Sequence, residues 1–337
     1  MKKLKIGVIG VGELGFTHAK HIAFQIPNAQ LVAVCASSQQ TLDRVIPQLD
    51  NPIGYLKYQD LLKNEDVEAV LIASPTAMHA EHVIASLAAD KDVFIEKPTG
   101  INIGECKTIM ERAKESSKHL FVGFMRRYDP SYAEAKRRID AGEIGTPILY
   151  RGYSWDPVWI AEYLSKRAAQ NGCWFLDMGV HDYDLARWFL GGEAKKVFAC
   201  GGAYVYPVFN NTNDIDNGFA LIEFYNKSAA FVYPGRTAAH GAHVECEIIG
   251  TKGSIRIGDD PAVDMLKLYT SDGITRKVFQ NYLQRWEQAF LIEVQSFVDE
   301  VLEFSKASGP NAYDGYMATM MGVIIQKAYV TGELEYF

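Results

Sequence analysis

Residues 5–15 read KIGVIGVGELG, and this stretch decides the fold of the first part of the chain. Its apolar run predicts a buried strand, which is followed by a helix that begins at Glu13. Between them, Gly10, Gly12 and Gly15 form the pattern G-x-G-x-x-G. The first glycine permits a tight turn, the second lets a pyrophosphate approach the backbone, and the third lets the helix pack closely on the strand. The strand–turn–helix context therefore indicates a dinucleotide-binding site.

Outward from this motif, strand and helix patterns alternate through the first 124 residues. Apolar runs predict strands at Lys5–Gly10, Leu31–Cys35, Glu68–Ala73, Asp92–Ile95 and Leu120–Phe124. Amphipathic patterns predict helices at Glu13–Gln25, His79–Ala89 and Ile103–Ser116. Nearly continuous apolar strands separated by helices are typical of a parallel sheet covered on both faces. We therefore expect an α/β domain over residues 1–124, with a Rossmann doubly wound parallel sheet.

The pattern changes in residues 125–337, which we expect to form a second domain of the α+β class. Predicted strands are Ile148–Trp155, Lys196–Tyr206, Phe219–Tyr225, Ala229–Tyr233, Val244–Ile249, Ser254–Ile257 and Met265–Tyr269. Predicted helices are Pro130–Ala141, Leu176–Leu190, Gln284–Phe304 and Tyr313–Val330. Most of these strands follow one another across short turns, as antiparallel pairing requires. The second domain should therefore contain a large, open, mostly antiparallel sheet that binds substrate and mediates oligomerisation.

Composition excludes several classes of function. The chain has 337 residues and a net charge of −7, so a broad basic surface for nucleic acid or acidic lipid is not expected. It contains five cysteines, an odd number without CxxC spacing, which argues for reduced thiols in a cytoplasmic protein and against a zinc site. No apolar run approaches the roughly 20 residues that a membrane span needs. We predict neither a metal nor a membrane or nucleic-acid partner.

The end of the second strand bears on which dinucleotide is bound. This strand usually ends in an acidic residue that holds the ribose 2′-hydroxyl of NAD, but here it runs into Ala36, Ser37 and Ser38. The missing carboxylate removes one barrier to the phosphate of NADP, yet no arginine stands there to bind that phosphate. Glu13, which precedes Leu14, would either place negative charge near the ribose or complement the helix dipole. NAD and NADP both stay open, and NAD is favoured.

Three separated segments combine reactive side chains with the ends of strands or helices. Glu96-Lys97-Pro98 follows a buried strand, so Lys97 should lie at the carboxyl edge of the sheet, where open α/β folds bind ligands. The segment 124–129, FMRRYD, falls at the boundary between the predicted domains. The segment 172–184, GCWFLDMGVHDYD, places Asp177 and His181 four residues apart, a spacing that makes them neighbours on one face of a helix.

With these segments the chain resembles the glucose–fructose oxidoreductase and inositol dehydrogenase family. The resemblance covers essentially the whole chain and is carried by the glycine motif, Glu96-Lys97-Pro98, the Asp177–His181 segment and Met125–Asp129, which looks like the inositol dehydrogenase branch. It implies hydride transfer between a nicotinamide cofactor and a secondary hydroxyl of an inositol or related sugar. In that reaction His181 would act as base and acid, Lys97 would stabilise charge on the oxygen, and Asp177 would hold a substrate hydroxyl.

Other side chains are candidates for binding rather than chemistry. By the same resemblance, Arg127 and Asp156 would contact the polyol, and Trp155 would form either core or the wall of a pocket. The sequence departs from inositol dehydrogenases at Gly241-Ala242-His243, where they tend to carry Gly-Tyr-Asp, so His243 would line a pocket of different shape. On the cofactor side, candidate contacts that follow the strand over Glu68–Ala73 or lie in the triplet are Ser74, Thr76, His79 and Glu96.

Alternative interpretations stay open at this point. Lys97 and Glu96 could form a surface ion pair, and Asp177 and His181 could be a structural pair or metal ligands. Two other functions also need testing: hydrolysis of a glycoside by a protein that retains NAD, and a sensor that binds NAD without catalysis. The close pairs His18/His21 and His79/His82 lie on predicted helices beside apolar residues, which favours packing or surface roles. The resemblance implies a homotetramer or a homodimer.

Overall fold

The structure is a computed structural model that describes residues 2–165, 173–306 and 308–337. It divides into two compact units. The first contains the residues up to Tyr128 together with Gln288–Thr319, and the second contains Asp129–Glu287 and Met320–Phe337. The first unit thus includes a late segment of the chain, which a division into 1–124 and 125–337 leaves out. Gly172, the first residue of the predicted segment 172–184, lies outside the described residues.

The first unit contains a parallel sheet with the strand order of a Rossmann fold. Its strands are β1 (Leu4–Ile9), β2 (Ala29–Cys35), β3 (Ile53–Tyr55), β4 (Ala69–Ile72), β5 (Asp92–Glu96) and β6 (Leu120–Gly123). The spatial order is β3-β2-β1-β4-β5-β6, and each described pairing is parallel. The order reverses between β1 and β4, which is the switch point where such sheets bind ligands. The prediction of a doubly wound parallel sheet is confirmed.

Helices cover the strands of the first unit. They are α1 (Glu13–Phe24), α2 (Gln39–Val45), α3 (Tyr58–Leu62), α4 (His79–Ala88) and α5 (Ile103–Glu115). Two of them begin at polar caps: the side chains of Ser38 and Asn102 accept hydrogen bonds from the backbone N–H groups of Thr41 and Glu105. Beneath the helices, β4 and β5 are buried at every position, as expected for strands with both faces covered.

Strand β3 was absent from the sequence-based prediction. It has three residues, pairs only with β2 among the described strands, and has two exposed positions. An edge strand of this kind needs no apolar run because one of its edges and much of its surface face solvent. The hydrophobic pattern that revealed the five buried strands therefore carried no signal at Ile53–Tyr55.

The second unit contains a large mixed sheet. Its strands are β7 (Pro147–Pro157), β8 (Ala194–Gly202), β9 (Asn217–Phe224), β10 (Ala229–Ala238), β11 (His243–Gly250), β12 (Ser254–Ile257) and β15 (Glu335–Tyr336). Their order is β12-β11-β7-β10-β9-β8-β15, with β7 and β10 parallel and the other described neighbours antiparallel. A separate ribbon pairs β13 (Leu268–Thr270) with β14 (Gly273–Thr275). The predicted mostly antiparallel sheet is confirmed.

The helices of the second unit refine the predicted ones. They are α6 (Pro130–Asp140), α7 (Val158–Ser165), α8 (Trp174–Asp177) and α9 (Gly179–Leu190); α10 (Tyr282–Val301) and α11 (Ala312–Thr331) each contribute to both units. The single helix predicted over Leu176–Leu190 is thus two helices, separated by Met178, whose backbone keeps right-handed helical angles. None of the described helices is both long and apolar enough to cross a bilayer.

Two predicted strands of the second unit need correction. The strand expected over Lys196–Tyr206 ends at Gly202, and a 3-10 helix follows at Pro207–Thr212. The strand expected over Met265–Tyr269 is reduced to Leu268–Thr270 and lies in the separate ribbon rather than in the large sheet. In both places an apolar run extends beyond the strand into exposed residues, so apolarity alone overestimated the extended structure.

Candidate active site

The glycine loop of the first unit has the geometry that a phosphate-binding turn requires. Gly10 has a φ of +91°, and a Cβ atom there would approach the backbone at Ala73 and Ser74 within 2.7 Å. A Cβ at Gly15 would overlap the carbonyl oxygen of Gly10, so α1 can pack this closely only with glycine. Gly12 has nothing within 4 Å of such an atom and caps α1 without a side-chain hydrogen bond. The helix N-terminus therefore offers backbone N–H groups and open space to an anion.

The end of β2 lies beside this loop, because the backbone N–H of Gly10 donates to the carbonyl of Cys35. Ala36 is buried and Ser37 is exposed. The hydroxyl of Ser38 caps α2 and contacts the hydroxyl of Thr41 at 2.9 Å. At this strand end, the side chain of Ser37 is therefore exposed and does not cap a helix. This makes Ser37 the residue best placed to contact the 2′ substituent of the ribose.

The loops that follow β4 and β5 are joined by a buried histidine. The ring of His79 contacts the carbonyl oxygens of Ser74 and Pro98, both at 2.8 Å, while burial lowers its pKa. Both ring nitrogens lie within hydrogen-bond distance of a backbone carbonyl oxygen, so His79 joins the two loops, and its contact with a ribose stays a prediction. The hydroxyl of Ser74 bonds the ring of His82, and Thr76 is buried in the same loop. The cofactor contacts of Ser74 and Thr76 stay predictions.

Lys97 directly follows β5 and is partly exposed at the carboxyl edge of the parallel sheet. The carboxylate of Glu96 is buried, accepts the backbone N–H of Lys97 at 3.3 Å and bonds the ring of His18 at 2.7 Å. Glu96 therefore turns into the protein interior. Its position argues against the alternative in which these neighbours form an ion pair on the surface, and it makes Glu96 a support for the strand end.

Arg127 lies in a 3-10 turn that follows β6, and its guanidinium is 3.3 Å from the carboxylate of Asp314 at the start of α11. Both side chains belong to the first unit and are largely buried, with exposures of 11% and 17%. This ion pair joins the turn to the late helix. The structure gives Arg127 a structural partner, and its contact with a polyol stays a prediction.

The segment that carries Asp177 and His181 is anchored by a buried pair in the second unit. Asp214 accepts the backbone N–H of Trp174, the first residue of α8, at 2.8 Å, and its other oxygen accepts Nη2 of Arg236 at 2.6 Å. The guanidinium of Arg236 also packs over the ring of Phe209 at 3.4 Å. These contacts fix where α8 begins.

Replacing Arg236 by methionine should therefore destabilise the protein. The change leaves Asp214 buried without its cation, and loss of one partner of a buried pair costs about 3–5 kcal/mol. We expect a clear fall in the midpoint of urea unfolding. The control is Arg256→Met, which breaks a pair with Glu247 in which the Arg256 side chain is 58% exposed and whose contribution is about 0–1 kcal/mol. Equal effects of the two substitutions would contradict the anchoring role.

The candidates for substrate binding divide between the two faces of the large sheet. Gly152 and Ser154 of β7 face α9, because the carboxylate of Asp182 accepts the hydroxyl of Ser154 at 2.5 Å and a Cβ at Gly152 would meet the same side chain. Side chains alternate along a strand, so Asp156 lies on this face, with the helix that carries His181. Trp155 lies on the opposite face.

His243 shares the face of Trp155. The two residues are paired in register between β11 and β7, and their rings are 6.1 Å apart. Tyr153 and Tyr233 complete an aromatic cluster on that face. The structure therefore brings Trp155 and His243 together but separates them from Asp156 and His181 by the thickness of the sheet. Contacts of Trp155 and His243 with a substrate stay a prediction.

Sequence reasoning missed Asp214, Arg236 and Glu293. All three are charged residue types that the structure buries, with exposures of 1%, 2% and 0%. Glu293 could have been found, because it lies on a helix whose apolar positions Phe290, Val294 and Phe297 mark the buried face. The Asp214–Arg236 pair joins a loop to a strand, and no local sequence pattern predicts such a pair.

The cysteines and the paired histidines follow the sequence-based expectation. All five cysteines lie among the described residues and are free thiols. His18, His21, His79 and His82 are all buried, which selects packing over surface roles. Burial lowers the pKa of His21 to about 4, and likewise that of His82, so both rings are neutral at physiological pH.

Comparisons with known proteins agree with this geometry. Residues 4–124 match the model of an oxidoreductase family with an NAD-binding Rossmann fold, and residues 132–256 match the GFO/IDH/MocA C-terminal domain. The chain is 34% identical over 298 residues to a scyllo-inositol 2-dehydrogenase (NAD(+)) of Bacillus subtilis, a match that covers 88% of this chain and 86% of that protein.

Solved structures are similar over the full length. The crystal structure of scyllo-inositol dehydrogenase from Lactobacillus casei, with bound NAD(H) and scyllo-inositol, has a TM-score of 0.94 at 37% identity and covers 99% of both chains. The structure of myo-inositol 2-dehydrogenase from Lactobacillus plantarum has a TM-score of 0.94 at 33% identity and covers 100% of both chains.

Proposed function

The chain belongs to the GFO/IDH/MocA family of NAD-binding oxidoreductases, and from that premise we propose that it oxidises a secondary hydroxyl of a cyclic polyol, an inositol of the scyllo or myo configuration, with NAD as acceptor. The reverse reduction uses the same groups. Relatives named for both inositols are about equally similar to the chain, so the proposal extends to the class and not to one isomer.

The proposed chemistry needs a base, a cation and a group that orients the ring. His181 accepts the proton of the reacting hydroxyl and returns it in the reverse direction. Lys97 stabilises the negative charge that develops on the same oxygen, an effect that is strongest where water is excluded. Asp177 accepts a hydrogen bond from a hydroxyl of the ring, and Asp156 is a further candidate for such a contact.

The glycine loop fits a nicotinamide dinucleotide. Gly12 leaves room where a larger residue would place its Cβ, and the uncapped start of α1 presents N–H groups to a pyrophosphate. When bound, the cofactor would accept the hydride that leaves the substrate carbon. Gly10 and Gly15 shape the turn, while Glu13, Leu14 and Ser37 border it and remain proposed contacts.

One observation carries the proposal. Lys97 follows β5 at the carboxyl edge of the same parallel sheet in which β1 leads into the glycine loop, with β4 between the two strands. The test is a panel of inositols and sugars with NAD and NADP in parallel, read as NADH or NADPH absorbance. Turnover of inositols supports the proposal. Release of a sugar by retained NAD without net NADH would instead indicate a glycosidase, and tight NAD binding without any turnover would indicate a sensor.

The cofactor preference can be tested at the end of β2. We expect Ser37→Asp to raise the ratio of kcat/KM with NAD to kcat/KM with NADP by about tenfold, which corresponds to ~1.4 kcal/mol. The new carboxylate would bond the ribose 2′-hydroxyl of NAD and repel the 2′-phosphate of NADP. Ser38→Asp is the control, because aspartate still caps α2. An unchanged ratio in Ser37→Asp would show that the ribose does not lie against this strand end.

We also propose a homo-oligomer, a dimer or a tetramer, in the cytoplasm. The sheet face opposite α9 carries the aromatic cluster of Tyr153, Trp155 and Tyr233 together with exposed Leu221. Burying such a face between subunits would remove apolar surface from water. Light scattering after size exclusion measures the assembly directly, and a monomer at micromolar concentration would contradict this part of the proposal.

A further inference from the structure

Three buried titratable side chains converge in the first unit, and the proposed chemistry uses none of them. His18 comes from α1, Glu96 from the end of β5 and Glu293 from α10. Their exposures are 0%, 4% and 0%. One ring nitrogen of His18 and one carboxylate oxygen of each glutamate lie within 4.8 Å of one another. The cluster therefore joins the helix after the glycine loop, the strand that leads to Lys97 and a helix from the end of the chain.

Two of the three members have clear partners. The ring of His18 bonds Oε1 of Glu96 at 2.7 Å, and Oε2 of Glu96 accepts the backbone N–H of Lys97 at 3.3 Å. Neither carboxyl oxygen of Glu293 has a hydrogen-bond partner among the described residues. A buried carboxylate without a partner is strongly unfavourable, and a second carboxylate nearby adds repulsion. A proton on Glu293 removes both penalties.

We propose that Glu293 is a positioning residue that is protonated in the working enzyme and donates to Glu96, so that the Glu96 carboxylate is held between His18 and the backbone of Lys97. Glu293 would touch neither substrate nor cofactor; it acts through Glu96 on the segment that carries the reactive ammonium. The link to catalysis rests on the proposed function, whereas the protonation of Glu293 does not.

The surroundings support this protonation. Burial, and secondly the charge of Glu96, raise the pKa of Glu293 well above its ordinary value of 4.5. Two other nearby groups are neutral at physiological pH: burial lowers the pKa of His21 on α1 to about 4 and raises that of Tyr128, after β6, far above its usual range. Glu300 lies about two turns further along α10 than Glu293 and accepts the backbone N–H groups of Ser308 and Gly309.

The sign of the pH effect follows from linkage. The folded protein retains a proton on Glu293 that the unfolded chain releases near pH 4.5. The stabilisation from this group is therefore complete below that pH and decreases as the pH rises towards the folded pKa. Glu293→Gln keeps a donor of the same shape but carries no ionisable proton, so the variant should lack this decrease.

The decisive experiment measures the Tm of wild type and Glu293→Gln from pH 6 to pH 10. We expect the Tm of the variant to gain steadily on that of wild type as the pH rises. Glu287→Gln, which removes an exposed carboxylate from the same helix, is the control and should run parallel to wild type. Parallel curves for Glu293→Gln would overturn the proposal. So would stoichiometric metal in the purified wild type that Glu293→Gln lacks, because a cation would then replace the proton.

Activity tests the positioning separately. With an inositol that is turned over, Glu293→Leu should lower kcat at least tenfold with little change in KM, and Glu293→Gln should restore most of that loss. Unchanged kcat in Glu293→Leu would refute the positioning role; if this variant does not fold, the kcat of Glu293→Gln decides, because a fall as large as tenfold would refute it. If no polyol is oxidised, the proposed function fails, yet the Tm curves still decide whether Glu293 holds its proton.

Discussion

Lys97→Met is expected to reduce kcat for inositol oxidation by about 10²–10³-fold while the protein folds normally. Methionine preserves most of the length and apolar volume of the lysine stem and removes only the ammonium. In the proposed reaction this cation opposes the charge that builds on the substrate oxygen, and removing one such electrostatic contact typically has an effect of this size. Because Lys97 is only partly buried, the substitution should leave the free energy of unfolding nearly unchanged.

The matched control is Lys107→Met, which makes the same change at an exposed position of α5 and should keep wild-type turnover. His181→Ala should be impaired by about 10²–10⁴-fold, the range for loss of a general base. In the double variant, the fold-reduction in kcat should be much smaller than the product of the two single reductions, because the effects of groups that act together are not additive. Ordinary turnover in both single variants would show that these residues do not perform the chemistry.

The parts of the fold that sequence predicted are those with local signals. The apolar run of β1, the glycine spacing and the helix that begins at Glu13 form one short stretch, and the structure reproduces it with Gly10 at positive φ. Buried strands such as β4 and β5 were equally visible because each of their residues must be apolar or paired. The edge strand over Ile53–Tyr55 bears no such constraint and was missed.

The site was only partly predictable because much of it depends on contacts between distant residues. Asp214 and Arg236 are 22 residues apart, and nothing near either one indicates that they pair. Trp155 and Asp156 are adjacent, yet strand alternation sends them to opposite faces of a sheet whose covered face is decided by α9. Motif resemblance predicted the reactive residues, whereas the residues that support them became apparent only in the structure.

Two glycines of the motif have different roles: Gly15 permits close packing of α1, and Gly12 leaves space for the cofactor. A substitution at Gly15 should therefore have a large effect on folding. Gly15→Ala should strongly destabilise the protein, because its Cβ would overlap the carbonyl oxygen of Gly10 and also approach the side chain of Ala73 at 3.1 Å. Gly10 and Gly15 lie at the two ends of the turn, so their backbone atoms can move apart only if β1 and α1 also move. Overpacking of this kind typically costs about 1–3 kcal/mol, and a clash with the backbone belongs at the upper end. Urea unfolding of the protein without cofactor measures the loss.

Gly12→Ala is the informative partner of that variant. The structure leaves nothing within 4 Å of a Cβ at Gly12, and its φ of −67° is open to alanine, so the fold should be as stable as wild type. The same methyl group would occupy the space through which a pyrophosphate approaches the start of α1, so the Kd for NAD should rise at least tenfold, or ~1.4 kcal/mol. Normal NAD affinity in Gly12→Ala would mean that the dinucleotide does not cross this turn, and a loss of stability would mean that a Cβ atom at Gly12 is not accommodated. A stable Gly15→Ala protein would mean that helix and strand can separate here, and the close packing that the third glycine permits would then not be what holds the loop in shape.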